Sequence, residues 1–450
     1  MEETTSNCIA LVSVAGVVAA WVFNFHRLKE HFLFLFFSTT VALYLQVFPA
    51  LSLIAKTLPG IEEFTVEYAS IQIYCLLLFQ LPLLCCYFAC PGLRNAVHVE
   101  KTAFTLRVDS IKGRVVSWLL IVSALAFFVE SVRYDLLFVR NHGEAVLLIY
   151  VDLPQLDYFL IRTYHCCGLF VIAICYFLRH YSVDSKLRLL ATMGLLTNCI
   201  CYGTYAAANS RAACTLLFVT MLAWILHSNP RVLDHLRTIA IFTVVGLYAI
   251  LVDLNIRHSG ISFPECLVPR ELDPFGDNQG IDRLNGIDLM ARMFSPISQH
   301  GPAWGAAWSE WTWIFWRFID PLGFDDFRLT AATCAKNYLM WHYLGWTDHD
   351  YYACALTDVY GNFAFFGFPI FALLLALVFR FSARVFAQAS SPSLFVCALF
   401  VLTHLLLFEQ EGSDMLLGWI KKAPLLALLV IYNPFVSDPN GIQIKRKTLR

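Results

Sequence analysis

Runs of about 18 or more apolar residues recur along the whole chain, and a run of that length is fitted to one environment, a helix across the roughly 30 Å hydrocarbon core of a bilayer. Hydrocarbon offers no water to the backbone, so every N–H and C=O has to be paired within the segment, which the α-helix does. Composition agrees. Of 450 residues, 58% are hydrophobic and 14% charged, where a soluble domain carries roughly a quarter charged residues. The chain is therefore expected to be an all-α polytopic membrane protein. Eleven spans are predicted, at residues 8–25, 32–55, 68–90, 115–132, 158–178, 188–206, 211–228, 238–255, 358–379, 393–409 and 414–432. The start, "MEETTSN", is acidic, so the first run reads as a span and not as a cleavable signal.

Orientation follows from basic residues in short loops. Alternate loops hold Arg27 and Lys29; Arg94, Lys101, Arg107, Lys112 and Arg114; Arg179, Lys186 and Arg188; Arg231 and Arg237; and Arg380 and Arg384. The tail adds Lys445, Arg446, Lys447 and Arg450. The intervening loops are acidic or nearly neutral, so the N-terminus is placed outside and the C-terminus inside. Three regions result: spans one to eight over 1–255, a long outer loop over 256–357, and spans nine to eleven with a basic tail over 358–450.

A loop of this length is improbable unless it is folded or functional. "IDRLNGIDLMARM" (281–293) puts Ile281, Leu284, Ile287 and Met290 on one side, the pattern of an amphipathic helix, with Asp288 and Arg292 as an i,i+4 pair on its surface. "WGAAWSEWTWIFWRF" (304–318) follows, and the loop holds seven of the chain's 11 tryptophans. Most of these suit a membrane interface, and some can stack on sugar rings. The loop is acidic, and of the 15 cysteines only Cys266, Cys334 and Cys354 lie in it; a disulfide among the three is open, its pairing undetermined.

The charge that most needs explaining is Arg211, in "AAANSRAAC". An arginine is always protonated and costly in hydrocarbon. The topology moves it to the outer mouth, where it either snorkels as a helix-end residue or grips an anion, with Asn209, Ser210 and small residues letting a phosphate approach and bind bidentately. Arg162 lies at similar depth in the fifth span, so two arginines face the outer side, an arrangement suited to a pyrophosphate. In "ALTDVYGNFAFFGF" (355–368) Asp358, Tyr360 and Asn362 are polar groups where the loop re-enters the membrane, and Gly361 and Gly367 permit close helix approach. Asp358 either serves the helix start or orients a hydroxyl. Arg283, Arg292, Asp288 and His300 are titratable or charged groups of the loop, and His300 and the acids are candidate general bases by residue type. Glu411 lies in an acidic turn, "EQEGSD", at the same mouth. "HYLGWTDHD" lacks metal-ligand spacing, so neither a metal nor a cofactor is expected.

In these segments the chain resembles the bacterial O-antigen polymerases, the repeat-unit polymerases of lipid-linked glycan assembly. "NSRAACTLL" is similar to the family's small-Ser-Arg segment opening a span, and "DRLNGIDLMARM" to the arginine-and-glycine helix of its large periplasmic loop. "TDVYGNFAFFGFPIFALLLAL" is similar to its acidic–aromatic–Asn-Phe-Gly re-entry, and "LLFEQEGSD" to the acidic turn before the last span. The likeness covers residues 155–432, and it departs at Ala364, where the family commonly has glycine. The resemblance implies a multi-span glycosyltransferase using a polyprenyl-pyrophosphate-linked oligosaccharide, without metal. Arg211, Arg162 and Arg283 would hold the pyrophosphate and neutralise its developing charge, and a loop carboxylate or histidine would deprotonate the acceptor hydroxyl. Membrane lipids, a chain-length regulator and a flippase are the expected partners, and no nucleic acid. The implied location is the bacterial inner membrane. Two alternatives stand beside it: an O-antigen ligase, which a catalytic loop histidine would favour, and a transporter, which would put charges at the membrane midplane and show an internal repeat.

Overall fold

The computed structural model describes residues 2–25, 28–56, 60–89, 106–108, 185–209, 285–309, 335–346, 353–388 and 435–437, with scattered positions between 125 and 179 and at 401 and 405. Almost all of these are helical. The elements are α1 (Glu2–Phe23), α2 (Leu28–Ala42), a π turn (Leu43–Val47), α3 (Phe48–Ala55), α4 (Thr65–Tyr74), a second π turn (Cys75–Gln80), α5 (Leu81–Ala89), α6 (Ser185–Asn209), α7 (Asp288–His300), α8 (Ala335–Leu344), α9 (Ala355–Phe363) and α10 (Gly367–Gln388). A short antiparallel pair, β1 (Leu106–Val108) with β2 (Phe435–Ser437), aligns Arg107 with Val436.

Four stretches are long and apolar enough to cross a membrane: Thr4–Phe23, His31–Ile54, Ile61–Ala89 and Ala355–Ser382. They correspond to the first, second, third and ninth predicted spans, with ends displaced by one to seven residues. The sixth predicted span falls within α6, a helix of 25 residues. The other six predicted spans lie wholly or largely outside the described residues. Two compact units divide the chain, one built from 1–95, 272–383 and 402–421, the other from 96–271, 384–401 and 422–450. The first unit contains α1–α5 and α7–α9, and it holds every side-chain contact described below.

Proline explains why the second and third spans are not uniform helices. Phe48 N–H donates to Leu43 O, one residue further back than an α-helix allows, and Pro49 has no N–H to give. Tyr44 C=O is thereby left without an intrahelical donor. The third span repeats the device: Leu81 N–H donates to Leu76 O, and Pro82 follows. In a membrane a freed carbonyl is tolerated only where another group satisfies it. For Tyr44 that group is the main-chain N–H of Gly286, at 3.0 Å.

Aromatic packing fixes α10 against these spans. Phe379 lies 5.6 Å from Phe34 and 4.7 Å from Phe37, and Phe371 stacks 5.9 Å from Phe79. Phe34 in turn stacks on Tyr87, whose hydroxyl meets His31 Nδ1 at 3.1 Å. Apart from the half-buried Phe371 these rings are almost fully buried, and the opposite face of α10 exposes Ile370, Leu374, Leu377 and Phe381, as a lipid-facing side does.

α9 and α10 are separated by a sharp break at Ala364, which has φ 49° and ψ −147°. An L-residue with a Cβ is strained there, whereas glycine is not. This is the position at which the sequence departs from the family pattern. Ala364→Gly is accordingly expected to stabilise the protein by about 1 kcal/mol, the relieved strain outweighing the entropy that glycine adds to the unfolded chain. A rise in the thermal midpoint of the detergent-solubilised protein checks this, and a fall contradicts it.

Candidate functional site

The site is built where the long polar segment meets the second and third spans. Of the amphipathic helix predicted over 281–293, residues 281–284 lie outside the described residues, Asn285–Ile287 form a turn, and α7 runs from Asp288. Asn285 makes that turn itself, its Oδ1 accepting from Ile287 N–H at 3.3 Å. Gly286 is held at both ends, its N–H on Tyr44 O and its carbonyl taking the Cys354 thiol at 3.4 Å. A Cβ on Gly286 would stand 3.2 Å from Tyr44 O, so the close approach needs glycine. Tyr44 lies roughly 15 Å from the Ile54 end of its span at 1.5 Å per residue. The turn before α7 is thus inserted among the spans.

That insertion corrects one expectation. Asp288 and Arg292 form the anticipated i,i+4 pair, with Arg292 Nε 3.0 Å from Asp288 Oδ2, but they are not on a surface: their side chains are only 3% and 11% exposed. The face of α7 opposite its apolar stripe is covered because α7 packs on α4, α8 and α9. Tyr68, fully buried in α4, donates its hydroxyl to Asp288 Oδ1 and accepts from Asn285 Nδ2 at 3.2 Å. The Arg292 guanidinium carbon lies 5.1 Å from the Phe64 ring centroid and 5.8 Å from that of Trp346, where the negative ring faces favour a cation. A continuous polar chain results: Asn285, Tyr68, Asp288, Arg292, ending between two aromatic rings.

α9 packs beside this chain. Its start is capped by Cys354, whose main-chain N–H bonds Thr357 Oγ1 at 3.1 Å while Thr357 N–H bonds Cys354 O at 2.9 Å. Burial pushes the Cys354 thiol up to about 11, with the nearby Asp358 carboxyl adding to the rise against the hydrogen bonds from Thr357 and Leu356. Burial thus favours the neutral thiol, and Cys354 is a free cysteine. Asp358, Tyr360 and Asn362 are buried. Asn362 spends its amide on the fold, Oδ1 accepting from Ala307 N–H at 3.3 Å and Nδ2 donating to Asp358 O at 2.9 Å. Tyr360 packs on Phe365 and Phe368. The Tyr343 phenol, pushed up to about 12 by burial and by Tyr338, remains a donor and is shared between Gly301 O at 3.0 Å and Gly361 O at 3.2 Å.

Of the residues singled out in the sequence, Asp288, Arg292 and His300 share α7, and Asp358, Tyr360 and Asn362 share the neighbouring α9. His300 ends α7 and is exposed. Asn209 is the last residue of α6, in the other unit. Arg162, Ser210, Arg211, Arg283 and Glu411 lie outside the described residues, as do Cys266 and Cys334. Among the described residues no group of three or more His, Cys, Asp or Glu is placed to hold a metal. Tyr68 and Asn285 were not singled out from sequence. Tyr68 reads there as one more aromatic in an apolar run, although the "NG" dipeptide at 285–286 is a turn signal that separates the loop from its helix. No protein-family model matches this chain, and no curated protein and no solved structure matches it either.

Proposed function

We propose that the protein is a polymerase of a bacterial surface polysaccharide, transferring a polyprenyl-pyrophosphate-linked glycan onto the next lipid-linked repeat unit at the outer face of the inner membrane. The observation that carries this reading is the Asp288–Arg292 pair on a loop helix set among the spans, with Tyr68 and two aromatic rings around it. A guanidinium at the edge of apolar helices suits an anionic headgroup whose tail stays in hydrocarbon. The contact of Arg292 with Phe64, near the start of the third stretch, supports placing the helix at that end of the span. The antiparallel pairing of Leu106–Val108 with Phe435–Ser437 supports a reading in which that loop and the tail share one side of the membrane.

In the proposed reaction the bond between the sugar's anomeric carbon and the pyrophosphate oxygen breaks, and a bond from that carbon to an acceptor hydroxyl oxygen forms. The polyprenyl pyrophosphate leaves with the bonding pair, and the hydroxyl proton passes to a base. Arg211, Arg162 and Arg283 are assigned to the leaving pyrophosphate, with Arg292 as a further cation. Asp288, Asp358 and His300 are the candidate bases, and Asn209, Ser210, Tyr360 and Glu411 are assigned to substrate contacts, whereas Asn362, expected there from sequence, has its amide engaged within the fold. A ligase reading, in which the finished glycan goes to the lipid A core, is favoured by one feature, the exposed His300 at the end of α7.

The test is genetic and direct. Arg211→Ala and Arg283→Ala are expected to abolish the long-chain ladder on a gel while the protein stays in the membrane at normal levels. Normal ladders from both end the assignment. In a deletion strain, core capped with a single repeat unit indicates a polymerase, whereas lipid-carried long polymer beside bare core indicates a ligase.

A further inference from the structure

Two glutamines are fully buried in the second and third spans. Gln46 belongs to the π turn before Pro49, and Gln72 to the last turn of α4, just before the π turn that precedes Pro82. Each reaches for the other's main chain: Gln46 Nε2 donates to Gln72 O at 3.2 Å, and Gln72 Nε2 to Gln46 O at 3.0 Å. A main-chain carbonyl only accepts, so the NH₂ end of each amide must face its neighbour's backbone and neither amide can be flipped. Both Oε1 atoms consequently point away from the pair, and neither has a donor among the described residues.

Further polar atoms are buried in the same three spans. Ser13 of α1 donates to Gln80 Oε1 at 2.9 Å, which leaves Gln80 Nε2 as a buried donor with no acceptor among the described residues, and Ser52 Oγ is likewise unsatisfied there. Orphaned amide groups are rare in protein interiors and costlier still in hydrocarbon. What satisfies this set has to donate to Oε1 and accept from Nε2. Water does both. A cation would meet the oxygens but not the N–H, and two neutral oxygens fall short of the roughly six a hard cation takes. Both glutamines lie at or beside π turns, and a widened turn is one of the places where water enters a helical ladder.

We propose that the crossed Gln46 and Gln72 amides form a hydrated site in the interior of the first three spans, with an ordered water donating to each Oε1. The site is polar by construction and owes nothing to the loop residues assigned to catalysis. The full chain in lipid nanodiscs, enlarged with a bound antibody fragment, can be imaged at a resolution that shows water. A density peak about 3 Å from each Oε1 is expected. In Gln46→Met and Gln72→Met the peak at the substituted residue is expected to vanish while the other persists. Bare oxygens overturn the proposal, as does a protein side chain donating to them or an ion coordinated by several oxygens at shorter distance. Should either variant fail to fold, the wild-type map decides alone.

Discussion

Arg292→Ala is expected to destabilise the protein by about 3–5 kcal/mol, because it strands a carboxylate in a site taken out of water. Asp288 is 2% exposed, and its remaining partner, Tyr68, supplies one neutral donor in place of a charge. Asp288→Ala removes the carboxylate that Arg292 Nε meets at 3.0 Å and is expected to destabilise the protein as well. The double replacement Asp288→Leu with Arg292→Leu removes both charges together, and its cost should fall well short of the sum of the singles, since an apolar pair can fill a buried ion-pair site with little loss. Thermal midpoints of the four proteins in one detergent give the coupling directly. Additive losses would mean that the pair does not act as a unit. The double variant also separates folding from function, because it is expected to fold and yet leave no long-chain glycan if Arg292 helps hold the donor. A normal ladder from a folded double variant would remove Asp288 and Arg292 from the proposed machinery.

Gly361→Ala is expected to cost about 1–3 kcal/mol through overpacking. A Cβ there would stand 2.4 and 2.6 Å from the two methyl carbons of Leu339, and Leu339 is itself fully buried in α8. The same backbone step carries the stitching between elements: Gly361 O accepts from Ala303 N–H at 2.9 Å and Asn362 O from Trp304 N–H at 2.9 Å. Pushing α8 off α9 also strains the hydrogen bond from the Tyr343 hydroxyl of α8 to Gly361 O. The mechanism has a specific control. In a Leu339→Ala background, which opens the space, Gly361→Ala should cost less than about 1 kcal/mol. An unchanged cost in that background would place the strain elsewhere.

Much of the architecture was legible because membrane helices advertise themselves by length and apolarity. The first, second, third and ninth spans lie close to where hydropathy places them, since a run of that kind can satisfy its backbone in hydrocarbon only as a helix. The close approach at Gly361 was legible too, a small residue in a re-entering helix. The spacing of Asp288 and Arg292 announced their pairing. Their burial was not legible, because periodicity within α7 reports only its own apolar stripe and cannot say that other helices cover the remaining face. Pro49 and Pro82 were visible as letters, yet the consequence depends on tertiary structure: the carbonyl that Pro49 frees at Tyr44 matters because Gly286, some 240 positions later, comes to satisfy it.

The sequence by itself determined that the chain is helical, apolar and organised around a polar segment between spans, and it named Asp288 and Arg292. Only the tertiary structure decided that Tyr68 and Asn285 complete their polar chain, that Cys354 is a helix cap, and that Gln46 and Gln72 cross amides inside the bundle. The division has one physical cause. Apolar length and helical period are local properties of a segment, whereas the satisfaction of a buried polar group depends on which distant segment is folded against it.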